Sequence, residues 1–428
     1  MNFAIIEKYL VPVANKLSQQ RYLKAIRDAF MSLIPITLAG GIAAVLSAAP
    51  ATEGTTNGFM LAWKAFAEQH GWMLGWINTV TLGFMALYIC IGMTYYLARH
   101  YKEDTYRPIL LAVLGFFMLG MNPLEIGWAS KSVEISFLDG KGLIAAIIIS
   151  ITTVELYHLM RKKNFGRIKL PDSVPQSLSE TFASLIPGLV IISVFSIAFG
   201  IFNALNTTMA QFIYQIIAPS FKATDSIFFT IFITILIHIF WFFGIHDAAL
   251  AGVLGPIRDG NLSINAAAHA AGESLPHIFT TPFWTYFVII GGCGSVLALA
   301  LLMLLSKNKQ IKTVGRVGII PAFFGISEPI IFGTPLMLNP IFFIPFVGAS
   351  VVNGIISFLM MQANLIGRTF AMLSWQMPSP FGALLSTVDI KAFILIIILI
   401  GVDMLIYFPF LKVYERQLQK SENDNTEE

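Results

Sequence analysis

Charge is what this chain has least of. Asp, Glu, Lys and Arg make up 12% of its 428 residues, 56% are hydrophobic, and mean hydropathy is +0.74. An ordinary soluble domain carries about 25% charged residues, so a water-soluble globule is excluded. The formal net charge of only +3 argues against nucleic acid as a partner. Cysteine is almost missing. Cys90 and Cys293 each lie inside an apolar run, so neither a disulfide framework nor a metal-ligand spacing is expected. No Gly-rich loop ends in Gly-Lys-Ser/Thr, which excludes nucleotide hydrolysis by this motif. No compact apolar core followed by a small-residue cleavage site opens the chain, so no cleaved signal is expected. Every polar segment is short, leaving no room for an appended catalytic domain. No cofactor and no metal are expected.

What is present is a succession of apolar runs. About 20 residues are needed to cross a bilayer. Runs of that kind fall near 28–50, 72–98, 108–122, 140–160, 181–205, 226–243, 282–306, 338–361 and 391–411. Basic clusters mark cytoplasmic ends. They occur at Lys16–Arg27, Arg99–Arg107, Arg161–Lys169, Lys307–Arg316 and Lys412–Lys420. The chain is then outside near residue 220 and inside at 307, with clean spans only at 226–243 and 282–306. The polar, Gly-rich segment 244–281 must supply a further crossing, and irregular backbone survives at membrane depth only when protein or a water-filled cavity covers it.

The expected fold is an all-α polytopic membrane protein of about ten transmembrane helices plus two re-entrant hairpins. An N-terminal amphipathic helix covers 1–27, with Ile6, Leu10, Val13 and Leu17 at helical spacing. An N-terminal membrane half covers 28–222 and a C-terminal half 223–414. An acidic tail follows at 415–428, and its end, "SENDNTEE", reads as disordered. Segment 317–337 is expected to turn back as a hairpin, and 367–391 is a second irregular patch near the outer side.

Ionisable groups inside a membrane are costly and mark function. The candidates are Glu155, His238, His246, Asp247, His277, Glu328 and Asp403. Glu155 and Asp403 lie near inner span ends and suit structural or interfacial roles. His238, between Ile and Phe, suits a satisfied core histidine. His246 and Asp247 follow "FWFFG", where a span breaks, and a broken helix exposes backbone groups to a cavity. Asp247 reads equally as a helix cap. His277 stands at the other end of the same irregular element. Glu328 lies in "FGISEPIIFGTP", among Gly325, Pro329, Gly333 and Pro335. A carboxylate at such a tip accepts a hydroxyl hydrogen bond or acts as a base. Phe240, Trp241, Phe242, Phe243, Phe283, Trp284 and Trp375 offer faces on which a sugar ring stacks.

Three segments carry a resemblance: "FWFFGIH", "PHIFTTPFWTYFVIIGGCGSVLAL" and "FGISEPIIFGTPLMLNPIFFIPF". They resemble the membrane subunit IIC of the phosphoenolpyruvate-dependent sugar phosphotransferase system, in its lactose/cellobiose (diacetylchitobiose) branch, and the likeness covers essentially the whole chain. It implies ten transmembrane helices, two re-entrant hairpins and a homodimer in the bacterial cell membrane with both termini cytoplasmic. The first half would make the dimer contact and the second half hold the sugar. The family's histidine falls on His246 and its glutamate on Glu328. Both would approach the 6-hydroxyl of a β-linked disaccharide, which a cysteine-phosphorylated IIB protein, itself served by IIA, phosphorylates. Ser327, Asp247, His277, Asn206 and Trp375 are further expected sugar contacts. The chain departs from the family pattern at Ser327 (usually Asn), Asp247 (usually Gly), Thr281 (usually Lys) and Val388–Lys391, and these positions bear on which sugar is bound. A non-transporting sugar receptor on the same fold and an ion-coupled carrier are the alternative readings.

Overall fold

The computed structural model describes residues 19–49, 55–126, 130–166, 168, 176–334 and 336–424. The part of the expected amphipathic helix before residue 19 lies outside them. The described chain is helical apart from connecting segments and one short antiparallel ribbon, Pro123–Ile126 with Ser130–Val133. The first helices, Arg21–Ser32 and Ile34–Ser47, meet at a 46° bend. Pro35 opens the second of them, where its missing amide forfeits no helical bond. The next apolar element starts earlier than expected, because Asn57 caps it by accepting from the amides of Phe59 and Met60. It runs from Gly58 to His100 through a tight turn at Leu82–Phe84.

Among the described residues, five helical segments are long and apolar enough to cross a membrane, or six if the bent pair counts as one span. Tyr106–Gly120 and Ile227–Phe242 are shorter apolar helices. Ser179–Ala204 is only 17% buried over its most apolar window, with Leu189, Ile197 and Ile201 facing outward. Such a face requires a non-aqueous neighbour. Two apolar cores organise the interior. One gathers residues from Ala25 to Phe195, joined by Ala266. The other gathers residues from Ile233 to Tyr414, joined by Ala44 and Val45.

Residues 282–306, expected as one continuous span, do not form one helix. A π-helical turn, Phe283–Val288, leads into a buried turn with positive φ at Gly291, Gly292, Gly294 and Ser295, and only then does the helix Val296–Leu304 begin. Glycine adopts that backbone without the steric cost a side chain brings. His238 secures the turn. Its Nδ1–H donates to the Thr234 carbonyl at 2.7 Å, and its Nε2 accepts from the Gly294 amide at 2.9 Å. One nitrogen donating and one accepting describes a neutral ring, so His238 is a core histidine.

Segment 244–281 carries a largely buried helix, Ala251–Ala270, followed by irregular backbone. Buried backbone groups must be paired, and side chains do this here. Asp225 accepts from the amides of Ile278 and Phe279. Asn265 accepts from the His277 amide and donates to its carbonyl. Asn261 donates to the Phe279 carbonyl, and Arg368 to those of Leu275 and Pro276. Over 317–337 the helix Lys309–Phe323 turns back at Gly325 into the short helix Glu328–Gly333. Glu155 accepts from the hydroxyls of Tyr22 and Tyr101, and Asp403 from Asn353. The last helix, Ile390–Asp424, continues into the tail expected to be disordered. Its polar end holds good helix formers such as Glu, Gln and Lys, and no proline follows Pro409 to stop it.

Candidate functional site

Two helix ends build the site, and they are copies of one device. Ile227–Phe242 ends with Gly244 at φ +78°; the Gly244 amide donates to Trp241 at 2.9 Å and the Ile245 amide to Phe240 at 2.8 Å. Lys309–Phe323 ends with Gly325 at φ +77°; the Gly325 amide donates to Ala322 at 3.0 Å and the Ile326 amide to Pro321 at 2.9 Å. Both are glycine-terminated helix ends with the same pair of backward bonds. The sequences match as well: Phe242-Phe243-Gly244-Ile245-His246-Asp247 and Phe323-Phe324-Gly325-Ile326-Ser327-Glu328. In each, an acid follows two residues after the isoleucine. This doubled motif is visible in the sequence and was not among the features read there.

The two ends bring their polar residues together. His246 Nδ1 lies 2.9 Å from Asp247 Oδ1, and His246 Nε2 lies 4.0 Å from Glu328 Oε1. A carboxylate accepts, so Nδ1 carries the proton in that contact and Nε2 is turned toward Glu328. The His246 ring leans on Trp241 with centroids 4.7 Å apart. The 4.0 Å gap is too long for a direct hydrogen bond. It allows one hydroxyl oxygen to sit at about 2.8 Å from both groups.

These residues line a cavity of about 300 Å³ that also touches Arg27, Asp259, Arg258, Cys293, Ser327 and Trp375. That volume is at the small end of ligand sites. Both halves of the chain contribute, Phe30 and Met85 from the first and the motif residues from the second. Of the expected site residues, His246, Asp247, Ser327, Glu328 and Trp375 meet here. His277 and Asn206 do not line this cavity. His277 belongs to the backbone pairing of 271–282, with Nδ1 3.4 Å from Asp225. Asn206 closes the helix Gln176–Ala204 at φ +54°, with its amide on the Asn203 carbonyl and that of Thr207 on Phe202. Asparagine tolerates this left-handed position better than most residues. Trp241 and Trp375 reach the cavity, whereas Phe283 and Trp284 are wholly buried in the second core.

Sequence reading missed Arg258 and Asp259. Both lie in "GPIRDGN", inside the helix Ala251–Ala270, and both line the cavity. Their signal was two adjacent charges in an element required to be at membrane depth. Asp259 accepts from the Thr281 hydroxyl, so the residue standing where the resemblance has lysine is tied to a cavity carboxylate. Ser327 is 4% exposed, backed by the turn at Gly292, where an added Cβ would stand 2.7 Å from that of Ser327. No cluster of three or more metal-ligating side chains occurs among the described residues.

Residues 27–350 match the family model "Phosphotransferase system, EIIC". The chain is 32% identical over 97% of its length to the oligo-beta-mannoside-specific EIIC component of Bacillus subtilis, covering 94% of that protein. It is 31% identical over 96% of its length to the lactose-specific EIICB component of Streptococcus mutans, covering 72% of it. Among solved structures it is similar to the transporter ChbC, the IIC component of the N,N'-diacetylchitobiose-specific phosphotransferase system. The TM-score is 0.87 at 30% identity, over 98% of this chain and 99% of that one.

Proposed function

Because this chain belongs to the EIIC family of the phosphotransferase system, we propose that it carries a β-linked disaccharide across the membrane and presents its 6-hydroxyl for phosphorylation by a separate phospho-IIB protein. The observation that carries this reading is the facing pair His246 and Glu328, 4.0 Å apart across a cavity walled by Trp241 and Trp375. One sugar hydroxyl placed between them bonds both, and the Trp375 face takes the ring's apolar side. Asp247 holds His246 with Nε2 toward that hydroxyl, and Glu328 accepts its proton as the phosphoryl group arrives. Transfer of this kind depends on positioning and on stabilising charge.

The sugars in the relatives' names, oligo-β-mannoside, lactose and diacetylchitobiose, support a β-linked disaccharide class. Relatives carrying EIIC and EIIB together support IIB as the partner. The protein works as a homodimer with about ten crossings, two re-entrant hairpins and both termini cytoplasmic. The second-half domain shifts as a rigid body to present the sugar to the cytoplasm, and the basic loops receive IIB. Asn206 and His277 are left out of the sugar site, and Asp259 joins it.

The test is reconstitution in vesicles with phospho-IIB and a panel of cellobiose, chitobiose, lactose, mannobiose and gentiobiose. Uptake with release of one 6-phosphorylated disaccharide is the expected result. Uptake that follows an ion gradient and ignores IIB would overturn it, as would tight binding with no uptake. Within the same assay, Asp247→Asn is expected to slow phosphorylation about 10- to 100-fold, on the scale of one charge-assisted hydrogen bond of about 1.5–3 kcal/mol. It should leave sugar affinity nearly unchanged. A rate equal to that of the parent would show that Asp247 does not position His246.

A further inference from the structure

Arg258 has a problem that the sugar does not solve. It is 6% exposed, and its Nε and Nη1 have no hydrogen-bond partner among the described residues. Two guanidinium nitrogens sealed from water without acceptors are costly. Among the described residues, its aromatic support is the Trp284 ring, 5.6 Å from the guanidinium carbon. The other arginine of the cavity wall, Arg27, is paired with Asp28 at 2.8 Å. Among the described residues, no carboxylate lies within salt-bridge distance of Arg258. Asp247 and Asp259 act on it only at longer range.

The cavity has the opposite shortage. Asp247, Asp259 and Glu328 all line it. Phosphoryl transfer brings a group with spread negative charge into this acidic space, where water does little to screen it. A fixed cation is needed where that charge develops. Arg258 lines the same cavity as Asp247, Glu328 and Cys293, so its guanidinium and the reacting carboxylate border one space.

We propose that Arg258 is a catalytic residue that binds the phosphoryl group during transfer and holds the 6-phosphate of the product. This rests on the transport reading above. In the step, the sugar 6-oxygen attacks phosphorus, an O–P bond forms and the S–P bond to the IIB cysteine breaks. The sulfur leaves as thiolate with the bonding pair, and the hydroxyl proton passes to Glu328. The side chain turns toward the phosphoryl group and donates to its oxygens, which supplies acceptors to nitrogens that have none among the described residues. Its planar, permanently charged fork suits phosphate oxygens, whereas lysine supplies only a point charge.

The experiment uses the full chain in vesicles and measures two things separately: equilibrium binding of the unphosphorylated disaccharide, and the rate of transfer from phospho-IIB. For Arg258→Gln, transfer is expected to fall about 10²–10³-fold, with sugar affinity close to that of the parent. Arg258→Lys should recover part of the rate and fold where the glutamine variant does not. The parent should also bind the 6-phosphorylated sugar more tightly than either variant does. Equal transfer rates in parent and variants overturn the assignment, and so does a loss of sugar affinity as large as the loss of rate, which would make Arg258 a sugar contact. A parent that phosphorylates no sugar overturns the underlying reading instead, and that failure is seen before any variant is made.

Discussion

Glu328→Gln is expected to lower the rate of sugar phosphorylation by about 10²–10⁴-fold, the range for loss of a positioned acid–base group. Glutamine keeps the size of the side chain and still accepts a hydrogen bond from a hydroxyl, but it cannot take up the proton. Sugar binding should therefore weaken far less than transfer. The protein should remain folded, because the Glu328 side chain is 43% exposed and opens onto the cavity instead of into a core. The measurement is the initial rate of sugar 6-phosphate formation, with binding determined on the same preparation. An undiminished rate would remove Glu328 from the proton's path and make His246 the base to test next.

Gly292→Ala is expected to damage both the fold and the site. Its φ is +103°, a backbone region that side chains rarely adopt, and the new methyl would stand 2.7 Å from Ser327 Cβ and 3.0 Å from the Gly325 carbonyl oxygen. Backbone strain of this kind costs about 1–3 kcal/mol. The methyl also presses on the turn that aims Glu328. Two results should appear together: a lower melting temperature in detergent, and a loss of phosphorylation larger than the fraction of unfolded protein accounts for. A parent-like melting temperature and rate would mean that the turn at 289–295 gives way and does not brace Ser327.

Much of the second half was legible because its breaks carry visible markers. Gly325 and Pro329 on either side of an acid announced a turn, and "FFG" before His246 announced a helix end. The break within 282–306 was hidden by composition. Gly291, Gly292 and Gly294 lie inside an apolar run, and hydropathy does not distinguish a buried turn from a span. Arg258 was overlooked because its segment was read as a whole, as a polar, Gly-rich crossing, and the two charges inside it were not weighed one by one. His277 and Asn206 carry polar side chains at breaks, the same cue that identified His246, yet each serves local backbone closure. That difference depends on which long-range partner arrives, Asp225 and Asn265 for His277, and a one-residue reading does not contain it.

The two matched glycine ends also bear on how tightly a ligand can be held. Each acid leaves its helix at a point set by backbone bonds within that helix, before any sugar is present. Binding therefore does not have to order the loop that carries either carboxylate, and the entropy usually lost when a mobile loop closes on its ligand is not spent here. The groups that reorganise are side chains, chiefly the half-exposed His246 and the unsatisfied Arg258. On the proposed transport reading, affinity is then expected to depend on how those two side chains settle on the sugar and not on loop closure.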